Sequence, residues 1–317
     1  MDVSPETIAG ILDLWDIRFA RLRPDLEPAG SPERSLARKV CEDDHNRLFL
    51  LDQISFLNLG RKIAIAEMLT ILGRRIPEIR APLPLPDGKF AAESDGGFWQ
   101  LRPFVEGVPL RRPEYAGDGW RGPVLADFLV RLKAASSDLP CSVEKIVFSP
   151  AQFVRSLEYK IGGFDDSLHE RILPAFHRLE AAYFPAEPGL PAGFAHGDFH
   201  PLNVVWAPDG IRAVVDWEFC GKKPEMYDVA ILVGCLGMEA PRFLGGDFVY
   251  GLLDSLRQNA AYAPESRSSF FDLILALRFA WLSDWLRRGD AEMIDLEAVY
   301  LNLLLENREF FVRNWRL

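Results

Sequence analysis

The spacing of apolar residues changes once along the chain, and this change constrains the fold more than any other feature of the sequence. Before residue 105, short apolar runs alternate with turn residues, which is typical of strands. Beyond residue 123, apolar residues recur mainly every three or four positions, which predicts amphipathic helices. The expected helical segments are 123–136, 150–161, 166–182, 226–238, 246–258, 268–287 and 291–313. The sequence therefore predicts an α+β protein with a β-rich first domain, residues 1–104, and a larger helical second domain, residues 105–317.

The first domain is expected to contain two helices and a sheet. Ser4 before Pro5 marks the start of the first helix, because serine is a favoured N-cap and proline suits the first turn. The second helix should cover residues 61–72 and end at Gly73, a residue type favoured at helix C-termini. Strands are expected at residues 36–41, 48–54, 82–86, 89–92 and 98–104. The first two should pair as a hairpin, and Asp87-Gly88 marks a turn between the next two.

The acidic balance of the chain limits its partners. A net charge of −10 repels polyphosphate backbones, so no nucleic-acid partner is expected. The N-terminal residues carry acidic groups where a signal peptide is basic and contain no long apolar stretch, so neither export nor membrane insertion is expected. A cytoplasmic location follows. Free buried thiols, not disulfide bonds or a zinc site, are expected at Cys41, Cys141, Cys220 and Cys235.

One β-hairpin is expected within the helical domain. Two short apolar runs, 203–206 and 211–215, flank the turn sequence Ala-Pro-Asp-Gly. Polar residues lie before and after these runs at Asp198, Asn203 and Asp216. One carboxylate can accept the proton of a hydroxyl group, while a carboxamide and a second carboxylate supply oxygen ligands for Mg²⁺. The pattern therefore indicates phosphoryl transfer.

Each of these residues also has a structural interpretation. A His-Gly-Asp triplet alone can form a turn, and Asp216 can be a solvated strand end. The order and spacing of the whole set favour the catalytic interpretation. His196, a second catalytic candidate, is expected to pack and hydrogen-bond the loop more than to transfer protons. His196 and His200 are four residues apart, but Gly197 and Pro201 oppose a helix there, so no zinc pair is expected.

The same residues resemble the motifs of a known family. His196-Gly197-Asp198 with Asn203 resembles the HGDxxxxN loop of the aminoglycoside phosphotransferase and choline kinase group, and Asp216-Trp217-Glu218 resembles its second metal-binding motif. Tyr227-Asp228 is similar to the motif that follows. The resemblance implies a two-lobe protein-kinase-like fold, with a small β-rich N-lobe and a larger helical C-lobe. It further implies that Asp198 is the catalytic base, that Asn203 and Asp216 hold Mg²⁺, and that Asp228 braces the catalytic loop.

The sequence departs from this group at one expected position. The group carries a lysine on the third strand of the small lobe, which grips nucleotide phosphates and pairs with a helix glutamate. Alignment of residues 48–54 with that strand puts Asp52, or Leu51 after a slip of one residue, at the lysine position. Glu67 is the candidate for the helix glutamate. The replacement cation is expected from Arg34, Arg38 or Lys39, and strand alternation lets only one of the last two enter the cleft.

Three further segments are candidates for ligand contact. Residues 28–35 resemble the phosphate-covering loop, with Ser31 as a candidate ligand, although they could equally form an ordinary loop. Trp99–Gly107 resembles the segment that joins the lobes and meets the adenine ring, and Arg102 within it is a nucleotide-binding candidate. The aromatic residues of a late helix are expected mainly in the core, with a substrate pocket beside Asp198 as the alternative; they include Phe279, Trp281 and Trp285.

Two functions follow from these observations. The first is an enzyme that uses ATP or GTP with Mg²⁺ to phosphorylate a hydroxyl group of a small metabolite, such as an amino alcohol, amino acid, sugar or aminoglycoside. The second is a kinase-shaped nucleotide- or ligand-binding protein with little or no turnover, as the missing lysine suggests. The retained base and metal ligands favour the enzyme.

Overall fold

The computed structural model describes residues 3–28, 35–139 and 148–315. These residues form two compact units. The first unit comprises mainly the residues up to Leu110 together with Pro201–Cys220, and the second contains the remaining helical segments from Arg111 onward. The sequence analysis placed the domain boundary after residue 104, and that boundary stays a prediction.

A five-stranded antiparallel sheet forms the centre of the first unit. Its strands are β1 (Phe19–Leu22), β2 (Ala37–Asp43), β3 (Leu48–Ile54), β4 (Ala92–Ser94) and β5 (Gly97–Pro103), in the order β1-β2-β3-β5-β4. The expected hairpin of β2 and β3 is confirmed, and its register pairs Arg38 with Asp52 and Lys39 with Leu51. Strand β3 has the predicted bounds, whereas β1 was not predicted.

Two helices accompany the sheet. Helix α1 (Pro5–Leu12) begins as predicted, since the Ser4 side chain accepts the backbone N–H of Thr7. Helix α2 spans Leu59–Gly73. The prediction that Gly73 caps this helix was wrong, because Gly73 is still helical and Arg74 is the C-cap. A Cβ at Gly73 would lie 2.8 Å from the backbone oxygen of Ile79, so close chain packing explains the glycine.

The expected strand at residues 82–86 is absent from the described structure, and of the one expected at 89–92 only Ala92 is in a strand, as the first residue of β4. The first contains three prolines, which have no backbone N–H to donate to a strand ladder. Leu83 and Leu85 still donate single hydrogen bonds, to the carbonyls of Leu101 and Lys89 respectively. The turn at Asp87-Gly88 is confirmed, with Gly88 at φ 85°.

The two faces of the sheet differ in character. One face packs against α1 in an apolar cluster that includes Cys41, Phe49, Leu51, Trp99 and Leu101. Alternation along the strands puts Arg38, Asp52 and Gln100 on the other face. That face meets α2, because the Gln100 side chain donates to the Lys62 carbonyl at 3.4 Å.

The predicted hairpin of residues 203–215 is confirmed and belongs to the first unit. Its strands are β7 (Val204–Trp206) and β8 (Ile211–Val214). Val214 donates its N–H to the Glu78 carbonyl at 2.9 Å, and Val108 donates to the Trp206 carbonyl at 2.9 Å. The hairpin is thereby attached to the part of the chain that carries the five-stranded sheet.

The second unit is mainly helical. Its helices are α3 (Arg121–Ala135), α4 (Pro150–Ile161), α5 (Asp166–Ala186), α6 (Tyr227–Glu239), α7 (Asp247–Gln258), α8 (Pro264–Ser268), α9 (Phe270–Arg288), α10 (Ala291–Glu306) and α11 (Arg308–Trp315). Strands β6 (Ala192–Ala195) and β9 (Gly221–Pro224) pair in a small antiparallel sheet that was not predicted. The single helix expected over 291–313 is interrupted at Asn307, whose side chain bonds the Leu303 carbonyl.

Helix α9 lies at the centre of the second unit and packs against α4, α5, α6 and α10. The prediction of an α+β fold, with a small antiparallel sheet and a larger helical part, is confirmed. Cys41, Cys220 and Cys235 carry thiols and not disulfide bonds, whereas Cys141 lies outside the described residues. In the described part of the chain, each helix is either too short or too polar to span a bilayer.

Candidate active site

The loop after β6, in the second unit, carries the first group of candidate residues. Gly197 has φ 86°, a left-handed conformation that glycine adopts without a Cβ clash. The backbone N–H groups of His196 and Gly197 donate to the two carboxylate oxygens of Asp228, at 2.7 and 2.8 Å. Asp228 lies in the first turn of α6 and is buried. It therefore holds the loop backbone, in accordance with the bracing role that the resemblance implied.

Burial shapes the electrostatics of this brace. It raises the pKa of the Asp228 carboxyl group above the ordinary value, while the neighbouring His196 and the two donated N–H groups act in the opposite sense. Replacement of Asp228 by an apolar residue would leave both N–H groups buried without these acceptors, at a cost of about 1–3 kcal/mol each.

His196 makes structural contacts. It is fully buried, and its Nδ1 accepts the backbone N–H of Asp198 at 3.2 Å. Its ring lies 5.9 Å from that of Phe199, in an edge-to-face contact. The catalytic role of His196 stays a prediction.

The Asp198 side chain is partly exposed at the end of this braced loop. Nε2 of His200 lies 3.6 Å from its Oδ1. The His200 ring contacts Trp281 edge-on at 6.0 Å, and Trp281 contacts Trp285 at 6.1 Å. Phe279, in contrast, is fully buried in the core. The aromatic residues of α9 therefore divide between the core and the surroundings of the catalytic loop.

The second group of candidate residues lies at one end of the β7–β8 hairpin, in the first unit. Asn203 immediately precedes β7, and Asp216 follows β8 by two residues. The backbone N–H of Val215 donates to the Asn203 carbonyl at 2.9 Å, which fixes the two segments side by side. Asp216 has φ 66° and ψ 54°, a left-handed conformation that is uncommon for residues other than glycine.

The donor set of this hairpin fits a hard divalent cation. Asn203 offers a carboxamide oxygen and Asp216 a carboxylate oxygen, the ligand types that Mg²⁺ prefers. Mg²⁺ usually takes few protein ligands and completes its coordination with phosphate and water oxygens. The two residues therefore suffice as protein ligands, and the left-handed backbone at Asp216 is the kind of strain that clusters at functional sites.

An ion pair that the sequence analysis missed anchors the segment after β8. Lys62 of α2 is buried and pairs with the Glu218 carboxylate, and the Nε of Arg61 donates to the Glu218 carbonyl at 3.0 Å. The sequence held one signal for it. Lys62 occupies the apolar face of α2 because Ile65, Ala66 and Leu69 follow at spacings of three, four and seven. A charged residue on such a face needs a partner.

Asp52 lies in a second cluster of charges in the first unit. Its carboxylate is 1% exposed. It accepts hydrogen bonds from Arg38 Nε at 3.0 Å, Arg102 Nη2 at 2.5 Å and Ser35 Oγ at 3.2 Å. Burial alone would raise the pKa of Asp52, but Arg102, Arg38 and Lys62 together bring that pKa below its ordinary value. The aspartate is thus a neutralised ionic residue on the α2 side of the sheet.

The other nucleotide-binding candidates lie elsewhere. Lys39 pairs with Leu51 across the strands, on the face that packs against α1, so the structure does not bring it to Asp52. Glu67 is on the exposed face of α2, where the buried face carries Lys62 instead. Ser31 and Arg34 lie outside the described residues. Among the predicted nucleotide contacts, Arg38 and Arg102 are brought together.

Curated proteins similar to this chain include homoserine kinases. The homoserine kinase of Rhizobium johnstonii is 30% identical over 155 residues, which are 48% of this chain and 47% of that protein. The homoserine kinase of Rhizobium etli is 28% identical over 228 residues, 68% of each chain. The chain thus spans about half the length of the first relative and two thirds of the second.

Solved structures resemble the whole chain. Amicoumacin kinase hAmiN, in complex with AMP-PNP, Ca²⁺ and Ami, has a TM-score of 0.60 at 14% identity and covers 96% of this chain and 94% of its own. The GDP complex of aminoglycoside 2'-phosphotransferase-IIIa has a TM-score of 0.63 at 15% identity, with 96% and 98% covered. A choline/ethanolamine kinase family protein from Mesorhizobium loti has a TM-score of 0.60 at 13% identity and covers 94% of this chain and 92% of its own. At these identities the likeness concerns the fold, which is that of protein-kinase-like phosphotransferases.

The sequence itself carries the family assignment. The profile of the phosphotransferase enzyme family, APH, matches residues 42–267, well over half of the chain. This range includes strand β3, the braced loop and the β7–β8 hairpin. The chain belongs to the phosphotransferase enzyme family.

Proposed function

We propose that this protein is a small-molecule kinase that transfers the γ-phosphate of a magnesium nucleotide, ATP or GTP, to a hydroxyl group. The observation that carries the proposal is the braced loop, in which Asp228 fixes the backbone and leaves the Asp198 carboxylate partly exposed. Asn203 follows Asp198 by only five residues, and the hairpin brings Asp216 to the same end as Asn203.

Asp198 is the general base in this proposal. Its carboxylate accepts the proton of the substrate hydroxyl while the hydroxyl oxygen forms a bond to the γ-phosphorus. The bond between the γ-phosphorus and the bridging oxygen breaks, and the nucleoside diphosphate leaves with that oxygen. Nε2 of His200 lies 3.6 Å from Oδ1 of Asp198, so His200 lies beside the proposed base.

The nucleotide is proposed to bind with Mg²⁺ held by Asn203 and Asp216. When bound, the cation neutralises charge on the phosphates. A neighbour solved with AMP-PNP and another solved with GDP support a nucleotide ligand and leave the choice between ATP and GTP to experiment.

The acceptor is proposed to be a small hydroxylated metabolite. The curated relatives are homoserine kinases, so a hydroxy amino acid is the first candidate, followed by amino alcohols, sugars and aminoglycosides. We place its binding beside Asp198, where His200, Trp281 and Trp285 supply aromatic surface. A cytoplasmic location and the absence of a nucleic-acid partner remain expectations from the sequence.

The alternative, a nucleotide-binding protein with little turnover, was suggested by the replacement of the expected lysine with Asp52, whose negative charge would repel nucleotide phosphates. Its hydrogen bonds to Arg38 and Arg102 offset that repulsion and so support the enzyme.

The test is release of ADP or GDP in the presence of Mg²⁺ and a panel of hydroxylated metabolites, with homoserine included. We expect Asp198→Asn to lower kcat by about 10²- to 10⁴-fold with nucleotide affinity largely kept, because it removes a proton acceptor and no metal ligand. Asp209→Asn is the matched control, since Asp209 lies exposed in the hairpin turn. Substantial turnover by Asp198→Asn would contradict the base assignment, and no turnover by the wild type on any acceptor would contradict the kinase.

A further inference from the structure

Asp52 occupies the strand position at which the sequence resemblance leads one to expect a phosphate-gripping lysine. Its two carboxylate oxygens are used separately: Arg38 Nε bonds Oδ1 and Arg102 Nη2 bonds Oδ2. Arg38 lies directly across from Asp52 on β2. Arg102 lies two residues beyond the β5 partner of Asp52. One buried acid therefore bridges arginines from the strands on both sides of β3.

Both guanidinium groups lie nearer to the surface than the Asp52 carboxylate. Their side chains are 15% and 20% exposed, against 1% for Asp52. A guanidinium presents five N–H donors in a planar fork. Among the described residues, Arg102 Nε finds no hydrogen-bond acceptor. This geometry suits phosphate oxygens, which guanidinium groups bind in pairs.

Lys62 adds a third cation to this face of the sheet. It lies on α2 and interacts electrostatically with Asp52, while its ammonium group pairs with Glu218. The resemblance implies a lysine on this strand and a glutamate on the helix. In this chain the strand carries the acid, Asp52, and the helix carries the lysine, Lys62.

We propose that Asp52 is a positioning residue that holds Arg38 and Arg102 as the cation pair for the nucleotide phosphates. The inference rests on the proposed function, because it requires that a magnesium nucleotide binds. In this arrangement two arginines take the place of one lysine. Because Asp52 orients them before the ligand binds, less side-chain entropy is lost on binding.

This role can be tested by calorimetry with the full chain, which measures the affinity for a ligand that carries phosphate groups and for one that does not. The probes are MgATP, or MgGTP where the wild type prefers it, and the corresponding nucleoside. We expect Arg38→Gln and Arg102→Gln each to weaken nucleotide binding by about tenfold to a hundredfold, the scale of a charge-assisted hydrogen bond, with nucleoside binding unchanged. Arg18→Gln is the matched control, because it removes the same charge from the same unit at a side chain that is 84% exposed.

Asp52→Asn should act through the arginines. It is expected to weaken nucleotide binding in the same direction, and its combination with Arg38→Gln should cost less than the sum of the two single effects. Asp52→Glu, which keeps the charge but shifts the carboxylate by one methylene group, provides the same readout if Asp52→Asn does not fold.

The outcomes separate this inference from the proposed function. A wild type that binds and turns over nucleotide, with both arginine variants equal to Arg18→Gln, would overturn the inference alone. Equal loss of nucleotide and nucleoside binding would assign the cluster a structural role and also overturn it. A wild type that binds no magnesium nucleotide would overturn both.

Discussion

At the scale of single residues, the backbone at Asp216 is the clearest local departure from regular structure in the hairpin. Its left-handed conformation costs most residues about 1–2 kcal/mol, and aspartate tolerates it better than others. Asp95 offers a comparison, because it has φ 51° in the exposed turn between β4 and β5. Both aspartates have a positive φ, but of the two it is Asp216 that is proposed to bind Mg²⁺.

Asp216→Ala should therefore weaken Mg-nucleotide binding as well as turnover. Changes to residues that merely support a metal ligand cost about 10- to 100-fold in affinity, so loss of a ligand should cost no less. Asp95→Ala imposes similar backbone strain and should lower the melting temperature without a change in nucleotide affinity. Calorimetry on both variants checks this, and equal nucleotide affinities would require a new assignment for Asp216.

At the scale of elements, α2 is joined to the segment after β8 by Lys62 and Glu218. The two side chains are 6% and 20% exposed, so water screens their attraction less than it does at the surface. Asp87 and Lys89 form a comparison pair in an exposed turn, with 51% and 74% exposure. A connection of this kind should show as energetic coupling between the helix and the segment proposed to bind Mg²⁺.

A double-mutant cycle with Lys62→Met and Glu218→Gln measures this coupling. We expect an interaction free energy of about 1–3 kcal/mol from denaturant unfolding, in the range of contacting pairs. The same cycle on Asp87 and Lys89 should give almost none, because exposed pairs contribute little. Additive effects of Lys62→Met and Glu218→Gln would show that the pair does not stabilise the attachment of this segment.

The elements that sequence reasoning found are those with local signals. The Ser4 cap, strand β3 and the β7–β8 hairpin each depend on residues within a few positions of one another. Strands β6 and β9 were missed because they are four residues each and exist only by pairing with one another. Lys62 and Glu218 are 156 residues apart, and no local pattern joins them.

The candidate residues divide in the same way. The loop at Asp198 and the hairpin at Asn203 and Asp216 could be predicted because their functional residues are close together in sequence. The ion pairs of Asp52 could not be predicted, since the two arginines that offset its charge, Arg38 and Arg102, are fourteen and fifty residues away in sequence. Strand alternation did separate Arg38 from Lys39, but register alone decided which of them faces Asp52.

At the scale of the whole molecule, the first compact unit is discontinuous in sequence. Residues up to Leu110 pack with Pro201–Cys220, although almost one hundred residues of chain separate these parts. Besides the contacts of Arg61 and Lys62 with Glu218, their connections include the Val214–Glu78 and Val108–Trp206 backbone hydrogen bonds and the bond from Arg212 Nη1 to the Glu106 carbonyl at 2.9 Å. The hairpin also buries Trp206, which is 1% exposed.

A fragment of residues 1–110 should consequently fold poorly by itself. It would leave Lys62 without Glu218 and would expose the apolar surface that the hairpin covers, which costs about 25 cal/mol per Å². The same fragment joined through a Gly/Ser linker to residues 201–220 should regain a cooperative thermal transition, and a scrambled 201–220 segment on the same linker should not. Circular dichroism melting of the three fragments decides the matter. If residues 1–110 alone melted as cooperatively and at the same temperature as the linked fragment, the hairpin would not be an integral part of the unit, and a boundary near residue 104 would describe an independent domain.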